Sequence, residues 1–290
     1  MLAVPLAPGA GVDPATRIGA VHLTVSDLDA AAAFYAGPLG LHLHSREGGV
    51  ARLGAGDDDF LVLTEDPSAA PARGRTGLFH TAFLVPSRVE LGRSIERLAR
   101  AGVPLTGFSD HLVSEAVYLD DPEGNGIEIY RDRPRGEWPL QQGHIRMATD
   151  PLDVEGVLSG ARDARPTPAQ VPAGTAVGHV HLRVADAPAA EAFYRDLLGL
   201  DVMARYAGAS FLAAGGYHHR LGINHWGSAG APPPDPGSRG LDHFELVVGD
   251  LEGVERRAGD LGRRLDTPWR RTGGGLELAD PSGNRVLLRV

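Results

Sequence analysis

A carboxylate stands in the middle of an apolar stretch near the centre of the chain. Glu128 is flanked by Ile127 and Ile129 in GNGIEIYRD, which otherwise has the composition of a buried β-strand. A similar stretch, GNRVLLRV, recurs at residues 283–290 and has Leu287 at the matching position. The strand therefore does not need the charge in order to fold. Burying a carboxylate is unfavourable unless it meets a cation or hydrogen-bond donors, so Glu128 is a candidate metal ligand.

Two histidines could share a site with Glu128. His22 and His80 each lie in a short segment with period-two alternation; in VHLTV, Val21 and Leu23 face one way and His22 the other. Two imidazoles and one carboxylate on one side of a metal leave three positions open, the facial arrangement of non-haem Fe(II) centres. The alternative is that the histidines are ordinary strand residues and Glu128 faces solvent on an edge strand.

An internal repeat organises the elements that must position these residues. His181 follows His22 by 159 residues, and the same offset joins Asp121 of DPEGN to Asp280 of DPSGN. Each half divides again into two segments of strand, amphipathic helix and three strands, with turn residues between the last two strands. The sequence therefore predicts an α+β fold of four βαβββ modules, in which two paired modules enclose a barrel-like cup. His22, His80 and Glu128 have the parity to face the cup of the first half.

The module boundaries predict the domains. Residues 1–134 form a metal-binding domain with modules 19–68 and 78–134, and residues 177–290 form a second domain with modules 177–229 and 240–290. Residues 135–176, rich in proline, are predicted as a linker with a short helix in DVEGVLSGA.

Composition narrows the class of protein. The sequence has no cysteine, which excludes disulfides and thiolate ligands, and a formal net charge of −9, which argues against nucleic acid or an anionic membrane as partner. It has no apolar run long enough to span a membrane. The first residues lack the pattern of a signal peptide and favour a short disordered arm, so a cytoplasmic location is expected.

The chain resembles the vicinal oxygen chelate superfamily, which includes glyoxalases, bleomycin resistance proteins and extradiol dioxygenases, and within it the catechol 2,3-dioxygenase family. The resemblance extends over nearly the whole chain and is most specific in SDHLVSEAVYLDDPEGNGIEIYRDRPRGEW. It implies Fe(II), or alternatively Mn(II), held by His22, His80 and Glu128. It also implies His111 as the acid/base residue and Tyr118 as a hydrogen-bond donor to substrate. His42 and His44 are weaker candidates for the same cup.

The resemblance implies an extradiol ring-cleaving dioxygenase that opens a catechol-type aromatic with O2. The bound metal lowers the pKa of the diol, and the ring opens beside the two oxygens. Edge strands of such modules are compatible with a homodimer.

The second half departs from the family pattern. His181 and His243 occupy the histidine positions, but Leu287 replaces the glutamate, so this domain is expected to lack iron. A second metal site remains open, because His179, His218 and His219 also lie there and His219 or Glu277 could substitute as a ligand.

Two other functions also remain open. A glyoxalase-like isomerase using Zn or Ni would need a fourth ligand from the last strand of the first module, where Glu65 stands only at the strand end. A metal-free protein that binds an aromatic drug would give no reason for the two histidines and the glutamate.

Overall fold

The computed structural model describes residues 11–141, 144–164, 166–265 and 269–290. Residues 1–10, which belong to the predicted N-terminal arm, lie outside the described residues. The fold is α+β and consists of four βαβββ modules, as predicted. In the described part of the chain, no helix combines the length and the apolar character needed to cross a membrane.

The first two modules differ in the length of their helices. The first comprises β1 (Arg17–Val25), α1 (Leu28–Ala36), β2 (His42–Glu47), β3 (Val50–Ala55) and β4 (Asp58–Glu65), and is followed by the short β5 (Ala70–Pro71). The second comprises β6 (Gly77–Leu84), α2 (Arg88–Arg100), β7 (Leu105–Asp110), β8 (Ser114–Asp120) and β9 (Gly126–Asp132).

The connecting segment and the last two modules follow. The segment contains a 3-10 turn (Arg135–Glu137), β10 (Leu140–Gln141), β11 (His144–Ile145) and α3 (Val154–Asp163). The third module comprises β12 (Ala176–Arg183), α4 (Ala187–Ala192) with a π-helical continuation (Phe193–Leu197), β13 (Asp201–Tyr206), β14 (Ala209–Ala213) and β15 (Leu221–Asn224). The fourth comprises β16 (Ser238–Val247), α5 (Leu251–Leu265), β17 (Trp269–Thr272), β18 (Gly275–Ala279) and β19 (Arg285–Arg289).

Every module arranges its strands in the same order. The first strand lies beside the last strand, and the two middle strands follow outward, as in β6-β9-β8-β7. The first and last strands are parallel, because the helix carries the chain from the first strand to the outer edge of the sheet and two antiparallel hairpins bring it back. Residues that alternate with the buried helix-facing residues point to the open face of the sheet.

The helices begin at residues that cap their free amides. The Ser87 hydroxyl accepts a hydrogen bond from the Glu90 amide at the start of α2, and the Asp186 carboxylate accepts one from the Ala189 amide at the start of α4. Such caps satisfy donors that the first helical turn leaves open. In the sequence, these capping residues are the polar residues that separate each first strand from its helix.

The two Asp-Pro turns connect the last two strands of the second and fourth modules. Asp121 is buried, accepts hydrogen bonds from the Glu123 and Asn125 amides, and also accepts one from the Tyr35 hydroxyl at 2.9 Å. The turn that precedes Glu128 is therefore anchored to helix α1. Asp280 and Tyr194 repeat this arrangement at 3.0 Å.

The chain forms two compact units. The first unit contains Leu23–Ala69 and His80–Gly178. It includes most of the interval predicted as a linker, where α3 packs closely on α2: a Cβ at Gly92 would lie 2.6 Å from the Val157 carbonyl oxygen. The second unit contains the described residues up to His22, Ala70–Phe79 and His179–Val290.

The sequence predicts that the two modules of each half lie side by side. The strand neighbours within the second unit are different. The Ala20 amide of β1 donates to Glu245 of β16, and the Phe79 ring of β6 contacts the His181 ring of β12. β1 therefore lies beside β16, and β6 beside β12. Repeat offsets identify modules, but they do not specify which exposed strand edges pair.

Candidate metal centre

His80 and Glu128 are brought together by the register of two parallel strands. In the pairing of β6 with β9, Thr81 lies opposite Ile127 and Ala82 opposite Glu128. The His80 Nε2 atom is 3.1 Å from a Glu128 carboxylate oxygen, and the two residues are 7% and 2% exposed. The carboxylate is thus fully buried on the face of the sheet opposite its isoleucine neighbours, as its parity predicts.

Tyr118 and His111 lie next to the carboxylate. Tyr118 of β8 is opposite Glu128 in the antiparallel pairing of β8 with β9. Its hydroxyl is 2.6 Å from His111 Nε2, and His111 Nδ1 is 2.7 Å from the Ala148 carbonyl oxygen. A carbonyl only accepts, so Nδ1 carries a proton. The Tyr118 hydroxyl has both His111 Nε2 and the Glu128 carboxylate as hydrogen-bond partners.

The Tyr118 hydroxyl is held in its protonated form. Burial raises the pKa of Tyr118 well above its usual value, and the negative charge and hydrogen bond of Glu128 raise it further. The phenol therefore remains a hydrogen-bond donor near neutral pH. The loop that carries His111 contains Leu112, whose φ of 68° is unusual for a residue with a side chain.

A third potential ligand is His179 in β12. His80, Glu128 and His179 each offer one ligand atom, and these atoms lie within 4.8 Å of one another. The preceding residue, Gly178, belongs to the first unit with His80 and Glu128, and a Cβ there would lie 1.8 Å from the Tyr130 hydroxyl oxygen. The absence of a side chain at Gly178 allows the backbone before His179 to approach Tyr130 closely.

These three residues fit a divalent transition metal. Two imidazoles and one carboxylate are the ligand types that first-row metals such as Fe(II) take in open facial sites. All three side chains are buried, so a bound cation would offset the cost of placing the carboxylate in an apolar environment. The predicted residues His80 and Glu128 are thus brought together, and the residue that accompanies them is His179.

His22 lies in a different environment. Its Nε2 atom is 3.4 Å from a Glu245 carboxylate oxygen, and its ring stacks on His243 with centroids 3.9 Å apart and an interplanar angle of 17°. Burial opposes ionisation of Glu245, but hydrogen bonds from His22, the Ala20 amide and Arg289 outweigh it and lower the pKa of Glu245 to about 2. The structure therefore places His22 in an ion-pair network.

The geometry of this network disfavours the second metal site left open by the sequence. Nearly parallel stacked rings do not direct their nitrogen lone pairs at a common point. The Arg289 guanidinium, 2.8 Å from Glu245, would repel a cation. Glu277, the substitute ligand considered for this half, accepts hydrogen bonds from Arg270 and Arg285 instead.

The other histidines form a separate cluster beside His179. The His219 ring lies 4.1 Å from the His179 ring, and its Nδ1 atom is 2.8 Å from His218 Nδ1. His181 contacts the Asn224 side chain at 3.0 Å. Of the weaker candidates in the first module, His44 pairs with Asp59 at 2.6 Å.

The sequence predicts His22 as the ligand that accompanies His80 and Glu128, and selects His181 rather than His179 as the counterpart of His22 in the second half. The segment HVHL contains both, and period-two alternation puts both on the same face. The repeat offset from His22 selects His181. The signal for His179 was its strand position beside Gly178, a residue that permits close approach of the backbone. The Ala148 carbonyl, which fixes the His111 tautomer, has no signal in the sequence.

Comparison with known proteins agrees with this architecture. The family model of the glyoxalase/bleomycin resistance protein/dioxygenase superfamily matches residues 17–129 and 176–288. A catechol-2,3-dioxygenase from Bacillus subtilis (strain 168) is 43% identical over 246 residues, covering 83% of this chain and 85% of that protein.

Solved structures extend the agreement at the level of the fold. Glyoxalase I from Zea mays superimposes with a TM-score of 0.60 at 16% identity, covering 94% of this chain and 92% of that chain. The cppA protein from Streptococcus pneumoniae TIGR4 does so with a TM-score of 0.53 at 12% identity, covering 96% and 99%. At these identities the likeness concerns the fold alone.

Proposed function

The chain belongs to the glyoxalase/bleomycin resistance protein/dioxygenase superfamily, and on that premise we propose that it is an extradiol ring-cleaving dioxygenase acting on a catechol-type aromatic and O2. The observation that carries the proposal is the convergence of His80, Glu128 and His179 in a chain with a catechol-2,3-dioxygenase as relative. The reaction breaks the ring bond beside the diol, and both atoms of O2 enter the product. It needs no external reductant.

The proposed ligands are His80, Glu128 and His179, with Fe(II) as the metal. Bound Fe(II) would leave positions for substrate and would supply the redox path by which an aromatic diol reacts with O2. His179 replaces His22, the ligand predicted from the sequence, because His22 contacts Glu245 and His243. The carboxylate of Glu128 contributes negative charge that balances the cation.

Tyr118 and His111 handle the proton of the diol in this proposal. The Tyr118 hydroxyl lies within hydrogen-bond distance of both the carboxylate ligand and His111 Nε2. A diol oxygen placed beside Tyr118 can transfer its proton to the phenol as the phenol passes its own proton to His111. The Ala148 carbonyl keeps the proton on Nδ1 and stabilises the imidazolium that results. The relay then returns the proton to the product.

Support for the isomerase alternative is weaker. Such a site would take a fourth ligand from the last strand of a module. Glu65 ends that strand in the first module, and Asn224 occupies the repeat position in the third module. Glu65 accepts a hydrogen bond from the Leu28 amide at the start of α1, and Asn224 is a neutral amide bound to His181. An open site with three protein ligands favours the dioxygenase.

The experiment is anaerobic loading with Fe(II), followed by catechol and air, with O2 uptake and the yellow absorbance of the ring-opened product as readouts. Glu128→Gln serves as the paired variant because it keeps the size of the side chain and removes its charge. We expect stoichiometric O2 uptake and colour from the wild type, and loss of both in the variant. Metal bound without O2 uptake on any catechol would move the function to the isomerase class.

A further inference from the structure

The turn that carries His111 holds one residue in a backbone conformation that the residue disfavours. This turn joins β7 to β8 and is formed by residues 110–114; we call it the histidine turn. Leu112 has a φ of 68°, and in the described part of the chain it is the one residue other than glycine with a positive φ. This region brings the Cβ of an L-residue too close to its own backbone, so leucine adopts it only where its surroundings hold it there.

The Asp110 carboxylate holds the histidine turn from within. Its Oδ1 atom accepts a hydrogen bond from the Leu112 amide at 2.9 Å, and its Oδ2 atom accepts one from the Arg133 guanidinium at 2.7 Å. An aspartate that accepts from the amide two residues later closes a local turn without help from the backbone ladder. The carboxylate therefore fixes both the direction of the Leu112 amide and the position of the turn relative to Arg133.

Arg133 anchors the turn to the strand of the proposed carboxylate ligand. This arginine follows β9, the strand that contains Glu128. Its amide donates to the Val113 carbonyl at 2.8 Å, and its guanidinium also lies 3.4 Å from the buried Glu115 carboxylate. A turn bound to Arg133 through both backbone and side chain thus keeps a fixed position relative to β9.

The segment that follows β11 also binds the turn. The backbones of Asp110 and Asp150 exchange two hydrogen bonds, at 2.8 and 2.9 Å, and the Ala148 amide donates to the His111 carbonyl at 3.3 Å. The Ala148 carbonyl in turn accepts from His111 Nδ1 at 2.7 Å. The contacts of the turn itself, of Arg133 and of this segment therefore all meet at Asp110.

The conformation of the turn decides where the His111 ring lies. Its Nε2 atom is 2.6 Å from the Tyr118 hydroxyl and its Nδ1 atom is bonded to Ala148, so small movements of the backbone affect both contacts. Hydrogen bonds weaken steeply as distance and angle are lost. Without the Asp110 carboxylate, Leu112 would lose the acceptor of its amide and relax toward a negative φ. Because His111 is the residue before Leu112, its ring would then move away from Tyr118.

Resting on the extradiol function proposed above, in which His111 receives the proton of the diol, we propose that Asp110 is a positioning residue for His111. Its carboxylate holds Leu112 in the left-handed conformation, and the turn held in this way places Nε2 at the Tyr118 hydroxyl. Asp110 acts through the shape of the turn rather than through its charge, because that charge is matched by Arg133.

The test measures Asp110→Ala in the wild-type and in the Leu112→Gly background, on the Fe(II)-loaded protein with catechol and air. Glycine adopts a positive φ without strain, so its turn does not need the carboxylate. We expect Asp110→Ala to lower kcat at least about 10-fold in the wild-type background and by less than about 3-fold in the Leu112→Gly background. Iron affinity and KM should change by less than about 2-fold, because His80, Glu128 and His179 are untouched.

A second readout does not depend on turnover. In the Zn(II)-loaded protein with isotope-labelled histidine, the Nδ1 proton of His111 is protected by the Ala148 carbonyl and gives a slowly exchanging NMR signal. Asp110→Ala should lose this signal, and the Asp110→Ala, Leu112→Gly double variant should regain it. Asp110→Asn keeps an oxygen for the Leu112 amide, so it should keep the signal and lose less than about 3-fold in kcat.

Asp150→Ala is the matched control, because Asp150 is exposed and binds Asp110 through its backbone. It should change neither kcat nor the NMR signal. A wild-type signal in Asp110→Ala, equal losses of kcat in the two backgrounds, or a loss in Asp110→Asn as large as that in Asp110→Ala would overturn the inference. No turnover of catechol by the wild type, with the signal lost in Asp110→Ala and regained in the double variant, would refute the dioxygenase function and leave the positioning of His111 standing.

Discussion

The close approach of Gly178 to Tyr130 makes a sharp prediction about the metal centre. In Gly178→Ala the new Cβ would lie 1.8 Å from the Tyr130 hydroxyl oxygen and 3.0 Å from the Leu84 Cβ. Ordinary contact begins near 3.4 Å, so the two groups must separate by about 1.6 Å. Tyr130 is fully buried and cannot swing into solvent, so β12 must move instead.

That movement displaces the adjacent residue, His179, which is a proposed metal ligand. Overpacking of this kind costs about 1–3 kcal/mol of folding free energy, and a ligand displaced by about 1 Å can lower activity by about 100-fold. We expect Gly178→Ala to bind Fe(II) at least about 10-fold more weakly and to melt at a lower temperature. Equilibrium dialysis with Fe(II) and thermal unfolding measure the two effects.

Two further variants make this prediction discriminating. Tyr130→Phe added to Gly178→Ala removes the clashing oxygen, and the double variant should regain part of the lost affinity. Gly160→Ala is the control, because this glycine in α3 has no neighbouring atom within 4 Å of a built Cβ and alanine should stabilise the helix by up to about 1 kcal/mol. A folded Gly178→Ala protein with wild-type iron affinity would refute the positioning role of this contact.

Three further predictions concern other parts of the structure. Tyr118→Phe should keep its iron and lose about 100-fold in kcat, since it breaks the proton relay; iron analysis beside the kcat measurement separates the two effects. Because the pKa of Glu245 is lowered to about 2 in the folded state from an ordinary value of 4.5, its contribution is present above pH 4.5 and is lost as the pH falls through 2. Glu245→Gln should therefore cost about 1–2 kcal/mol at pH 7, after allowance for solvent screening, and much less near pH 2, as measured by denaturant unfolding at both pH values. Tyr35→Phe and Tyr194→Phe each remove a hydroxyl bonded to a buried aspartate and should each cost about 1–3 kcal/mol in denaturant unfolding. Only Tyr35→Phe should also weaken iron binding, because the turn to which the Tyr35 hydroxyl is bonded leads into the strand of Glu128. Equal iron affinities in the two variants would contradict this.

The sequence predicts those features that depend on residues close together in the chain or on strands of the same module. Period-two alternation and turn residues identify the four modules. The pairing of His80 with Glu128 follows because both strands belong to the same module, where the helical crossover sets a parallel register. The role of Tyr118 came from the resemblance, and the structure places Tyr118 opposite Glu128 through a hairpin with a short turn.

The third proposed ligand, His179, could not be found in this way. It depends on which strand lies beside β6, and edge strands of similar modules have similar exposed backbone groups. The repeat offset selects His181 as the counterpart of His22, but His181 binds Asn224. Distinguishing His179 from His181 requires the position of β12 along its neighbour, and this is fixed by tertiary packing at Gly178 and Tyr130 rather than by any local pattern.

The most direct test of the metal centre compares the iron content of two histidine variants. His179→Ala and His22→Ala are loaded with Fe(II) without O2, dialysed and analysed for iron, and catechol turnover is then measured. We expect about one iron per chain in the wild type and in His22→Ala, and an affinity loss of at least about 10-fold with loss of turnover in His179→Ala. Iron retained in His179→Ala and lost in His22→Ala would contradict the proposed ligand set.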